Sequence, residues 1–91
     1  MIEKEKIGEI CQKAVDKYGH QSQIDMAIEE MAELADALMK FRRGRVTEMD
    51  VATEIADVFI MAYQMSLIFG REDVVSEVER KLLRLQDRMN K

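Results

Sequence analysis

Apolar side chains recur along this chain at three- and four-residue spacing in four blocks, broken near Gly19, Gly44 and Gly70. That period is the α-helical one. The first block, roughly Ile2–Tyr18, repeats through Ile7, Ile10, Cys11, Ala14, Val15 and Tyr18, and Gly19 is placed to stop it. Ser22, with Asp25 three residues on, suits the cap of a second helix. This helix is expected to run to about Arg42 with an inward stripe of Ile24, Ile28, Met31, Ala35 and Leu38, flanked by Ala27 and Leu34. Gly44 ends it, behind basic residues that complement a helix C-terminus. Thr47 and Asp50 are spaced as N-cap and N3 of a third helix, which Gly70 closes. A fourth, from about Glu72, carries Val75, Val78, Leu82, Leu85 and Met89. Its 3-4-3-4 spacing suits bundle packing better than a long coiled coil. The expected fold is all-α: one domain over residues 1–91, a four-helix bundle protomer with short connections.

The third helix departs from the ordinary amphipathic pattern. Val51–Phe69 reads VATEIADVFIMAYQMSLIF and has no clear solvent face, yet it holds Glu54 and Asp57. A helix that is hydrophobic all round is buried, and three-residue spacing puts both carboxylates on one face, a turn apart. Two buried like charges need a cation, a basic side chain or a proton. The second helix carries a matching pair: Glu30 and Glu33 lie on the shoulder of its apolar stripe, while Glu29 points further toward solvent. A short connection packs the two helices antiparallel, so the two pairs can face each other and four carboxylates can converge.

Composition narrows the chemistry. Hydrophobic residues are 47% and charged residues 35% of the 91, with no Pro or Trp and only four Gly, the balance of a helical globular chain. So short a chain buries a limited core and gains from self-association, so a homodimer or homotetramer is expected. The net charge of −4 argues against a general nucleic-acid binder. Cys11 is the only cysteine, which excludes a disulfide framework and fits a reducing cytoplasm. The N-terminus has no apolar core of a signal peptide, and the longest apolar run, Val58–Phe69, is short for a membrane span. No membrane partner is therefore expected.

Oxygen-only ligands select a hard cation, Mg²⁺ with Mn²⁺ able to substitute. Zinc would want His or Cys, and a ferritin-like di-iron site would want Glu-x-x-His on two helices. His20, the only histidine, belongs to no such motif. Four carboxylates around one divalent ion leave excess negative charge, which a second cation arriving with the substrate would balance. Mg²⁺ shares its shell readily between carboxylates and phosphates, so a metal–phosphate substrate is the natural guest.

The pattern EEMAE at Glu29–Glu33, followed after twenty residues by EIAD at Glu54–Asp57, resembles the EExxE…ExxD signature of the MazG-like all-α nucleoside triphosphate pyrophosphohydrolases. The resemblance covers about residues 20–90. It implies cleavage of a nucleoside triphosphate to the monophosphate and pyrophosphate. Glu30, Glu33, Glu54 and Asp57 would hold Mg²⁺ as the catalytic set, with Glu29 supporting them from behind. Lys81 and Arg84 loosely match a basic pair in such chains, and His20, Gln21, Gln23 and Gln64 are candidate base or sugar contacts. Some members place Trp near the base, and this chain has none. A second reading is a catalytically inactive helical interaction module whose acidic cluster is structural. All four carboxylates are present, unreplaced by Ala or Gln, which favours the enzyme.

Overall fold

The structure, a computed structural model, describes all of residues 1–91. Four helices and no strands make up the chain: α1 (Lys4–Tyr18), α2 (His20–Arg42), α3 (Glu48–Phe69) and α4 (Arg71–Met89). The all-α class is as the periodicity indicates. α2 and α3 form the main antiparallel pair, and α1 lies across both. Cys11 and Val15 of α1, Ala27 and Ala37 of α2 and Met61 of α3 are its buried apolar residues.

Two corners are made by a single glycine. Gly19 (φ 89°) separates α1 from α2, and Gly70 (φ 118°) separates α3 from α4. Both conformations are costly for any residue with a Cβ. The glycine corner displaces the expected Ser22 cap. The chain turns within one residue, α2 starts at His20, and Ser22 lies inside its first turn. The cap on α3 is as expected. Thr47 Oγ1 accepts from the Asp50 amide (3.1 Å), and the Thr47 amide donates to Asp50 Oδ2 (2.8 Å). At the α3–α4 corner, the Arg71 guanidinium lies 4.1 Å from the centre of the Tyr63 ring and donates to Ser66 Oγ (3.1 Å). Gly70→Ala would force this braced corner out of its backbone conformation and set a Cβ 3.4 Å from Asp73 Oδ2. The expected cost is about 1–3 kcal/mol, read as a lower urea midpoint.

The protomer is less closed than the four-helix bundle expected from the sequence. α4 packs only against α3 and has no buried residue. Its seam residues Val75, Val78, Leu82, Leu85 and Met89 are all exposed. The α2 stripe is also displaced. Gln23, Ile24, Ala27, Glu30, Leu34 and Ala37 are the covered positions, so of the expected stripe Ile24 is kept, whereas Ile28, Met31, Ala35 and Leu38 face outward. On α3, Ile55, Phe59, Ile60 and Phe69 are exposed. The physical reason is supply: the apolar sectors of α2, α3 and α4 are wider than one chain can cover. The radius of gyration is 15.5 Å, against about 12 Å for a compact chain of this length. The accessible surface is 7459 Å², against about 5,500 Å² for a compact monomer of this mass.

α3 spans 22 residues, and its most apolar window has a mean hydropathy of 1.4, so it is long and apolar enough to cross a membrane. The run Val58–Phe69 is the C-terminal half of this longer helix, which begins at Glu48. Its polar side is nonetheless used within the protein, since Glu54, Asp57 and Gln64 all meet groups on α2.

Candidate metal centre

The seam between α2 and α3 is built in one antiparallel register. Gln23 meets Gln64, Glu30 meets Asp57, and Glu33 meets Glu54. Each step up α2 is matched by an equal step down α3. Seven residues are two helical turns, so Gln23 and Glu30 share a face of α2, as Gln64 and Asp57 share a face of α3.

Three of the four carboxylates expected to converge lie together. One carboxylate oxygen each from Glu30, Glu33 and Glu54 lies within 4.8 Å of the others. Asp57 lies outside this trio, and its charge acts on both Glu30 and Glu54. Glu30, Glu54 and Asp57 are half-buried, and Glu33 sits at the open edge. Glu30 Oε2 and Glu54 Oε2 are buried without any hydrogen-bond partner. A buried acceptor with no partner is rare in native proteins and demands an account.

No basic side chain supplies that account. Every ion pair of the chain lies elsewhere and on the surface: Lys6–Glu9, Lys40–Asp36, Arg80–Glu77 and Lys91–Asp87. Burial raises the Glu30 carboxyl above the ordinary range, and Glu33, Asp57 and Glu54 push it further. Burial also raises Glu54, with Glu33 and Asp57 adding to it. All of these influences act in the same direction, and none comes from a cation. The salt-bridge explanation of the acidic cluster therefore fails within the chain. An all-oxygen set with two orphaned carboxylate oxygens fits a hard divalent cation.

The other sequence-selected residues fall outside the cluster. Glu29 is exposed, rotated about 100° from Glu30. His20 opens α2 and Gln21 follows it, both exposed. Gln23 and Gln64 are buried and joined to each other through Gln23 Nε2 and Gln64 Oε1. That bond across two helices had no signature in the linear pattern, where the two positions were candidate substrate contacts with nothing to pair them. Lys81 and Arg84 lie on exposed α4, where their charges act on Glu77.

The raised carboxyls predict a distinctive acid profile for the metal-free protein. Glu30 and Glu54 hold protons in the fold at pH values where the unfolded chain has released them. Their stabilising contribution is complete below the unfolded value of about 4.3 and is lost as pH climbs through their raised folded values. Asp50, lowered by its hydrogen bonds with Thr47, and Glu77, lowered by Arg80, act oppositely. Their contribution is present above the ordinary carboxylate range and is lost as pH falls through their depressed values. Thermal melts in a chelator should therefore show stability declining as pH rises above the ordinary carboxylate range, through the raised values of Glu30 and Glu54. Saturating Mg²⁺ should remove most of that decline.

The MazG nucleotide pyrophosphohydrolase domain model matches residues 18–89. Neither the comparison with curated proteins nor that with solved structures gives a match. The matched span takes in the whole of α2 and α3, both acidic pairs and nearly all of α4. With the carboxylates of both motifs facing one another across a single helical seam, the chain belongs to the MazG nucleotide pyrophosphohydrolase family.

Proposed function

We propose that this protein is a Mg²⁺-dependent nucleoside triphosphate pyrophosphohydrolase, with Mn²⁺ able to substitute. It would add water across the α–β phosphoanhydride bond of a ribo- or deoxyribonucleoside triphosphate. The products would be the nucleoside monophosphate and pyrophosphate. The observation that carries this reading is the pair of partnerless buried oxygens, Glu30 Oε2 and Glu54 Oε2, in a cluster without any protein cation.

Glu30, Glu33, Glu54 and Asp57 would hold the cation. When bound, it would offset phosphate charge and make an attacking water more acidic. The chain contributes the rest through position. Two residues from each of two packed helices fix the carboxylates without help from a loop, which favours a preorganised site. Glu33 lies at the exposed edge, the side from which a triphosphate can approach. Glu30 and Glu54 would surrender their retained protons on ligation, since a coordinating carboxylate must be ionised.

The test is a panel of the common ribo- and deoxyribonucleoside triphosphates with Mg²⁺, with product identity as the readout. Stoichiometric monophosphate and pyrophosphate from at least one nucleotide is the expected result. Orthophosphate as the first product would assign cleavage to the wrong bond. No turnover of any nucleotide, with the metal bound, would favour the inactive-module alternative.

A further inference from the structure

An apolar groove of about 210 Å³ opens where α2 ends and α3 begins. Leu38 and Phe41 of α2 and Val51, Ala52 and Ile55 of α3 line it, with Glu48 on the α3 side. Arg42 stands one turn beyond Leu38 on the same face of α2, and Arg43 and Arg45 follow at the turn, all three exposed. The turn does not need their side chains. Gly44 takes a positive φ of 70°, and the amides of Arg43, Gly44 and Arg45 bond back to the Lys40 and Phe41 carbonyls. The four ion pairs of the chain, Lys6–Glu9, Lys40–Asp36, Arg80–Glu77 and Lys91–Asp87, include neither these arginines nor Glu48. The groove thus has an apolar floor, a basic edge on α2 and an acidic edge on α3.

α4 carries the complementary surface. It makes no contact with α2, so it does not enter this groove within its own chain. Its seam through Val75, Val78 and Leu82 is exposed. The heptad positions flanking that seam are Glu72 and Glu79 on one edge and Lys81 and Arg88 on the other. None of these four is ion-paired either. Laid seam-down in the groove, α4 can set Glu72 and Glu79 against the arginines and Lys81 and Arg88 toward Glu48. Turned end for end, the same helix would bring like charges together, which opposes association. The two edges therefore select a direction as well as a partner.

We propose that the groove between α2 and α3 of one copy receives α4 of a second copy, with Glu72 and Glu79 paired to Arg42 and Arg43. About a two-fold axis the contact is reciprocal, so each pair of chains makes it twice. One contact then covers the open seam of α4 and gives the unpaired arginines their counter-charges.

Charge reversal tests the contact, with self-association measured by sedimentation equilibrium. One variant carries Arg42→Glu and Arg43→Glu, the other Glu72→Lys and Glu79→Lys. All four residues are exposed within the chain, so neither variant disturbs a covered position. Each variant alone should self-associate at least about tenfold more weakly than the parent, because like charges then meet across the contact. Mixed one to one, the two variants should recover the parent's association, since both reciprocal contacts again join opposite charges. A single chain carrying all four changes should recover it as well. Weakening without recovery in the mixture would assign the groove to a partner of another kind and overturn the proposal. So would unchanged association of both variants, or a parent protein of single-chain mass.

Discussion

Glu54→Gln is expected to lower pyrophosphohydrolase activity by several orders of magnitude without weakening the metal-free fold. The two effects separate because Glu54 has no positive partner. Its Oε2 is buried and unpaired, and the charges acting on it, Glu33 and Asp57, are both negative. Removing its charge relieves repulsion with them, so the chelated variant should melt at or slightly above the parent. Added Mg²⁺ should then raise its melting temperature less than it raises the parent's, because a ligand that binds only the folded state stabilises by mass action. If Glu54 were instead held by an Arg or Lys, the same change would strand a cation and destabilise the protein in chelator. Paired melts in chelator and in Mg²⁺, with pyrophosphate release measured alongside, distinguish these outcomes.

The second large effect concerns assembly. The accessible surface exceeds that of a compact monomer by roughly 2,000 Å², and many large apolar side chains are exposed. They include the Ile28–Met31–Leu38 side of α2, the Phe59–Ile60 side of α3 and the seam of α4. Stable pairs bury about 800 Å² on each partner, and obligate homodimers bury more. We propose that the working form is a homodimer or a dimer of dimers. Light scattering at micromolar concentration should give at least twice the 10.6 kDa chain mass. Phe59→Glu combined with Leu82→Glu should lower both mass and melting temperature, since neither side chain is covered within the chain. A parent protein of single-chain mass would contradict the proposal and leave α3 and α4 exposed without a reason.

The helices and the acidic site were legible because each rests on local information. Periodicity located all four helices, Thr47–Asp50 announced the cap of α3, and Gly19 and Gly70 marked the corners. The carboxylate pairs stood out because charge on an almost wholly apolar helix has to be compensated. What local information did not contain was the direction in which each apolar sector finds its cover. The α2 stripe read as Ile24–Ile28–Met31–Leu38 is real, but only part of it is covered within the chain. The seam with α3 instead uses Gln23, Ala27, Glu30 and Leu34. The α4 seam was likewise legible as an apolar stripe, yet the chain itself leaves it uncovered. Ser22 read as a cap because Ser followed by an acidic residue is the usual solution, whereas a glycine with positive φ makes a cap unnecessary. The Gln23–Gln64 bond joins residues 41 apart in sequence, and only the antiparallel register brings them together.

The central claim is that the four carboxylates form a divalent-cation site, and direct titration of the metal-free protein tests it. Mg²⁺ or Mn²⁺, added up to about 10 mM in a calorimeter, should bind saturably to the parent and bind weakly or not at all to Glu54→Gln. Because Glu30 and Glu54 hold protons above the ordinary carboxylate range, binding should release protons. The apparent heat should therefore change with the ionisation enthalpy of the buffer. No saturable heat with either ion, or equal binding by the parent and Glu54→Gln, would contradict the metal site.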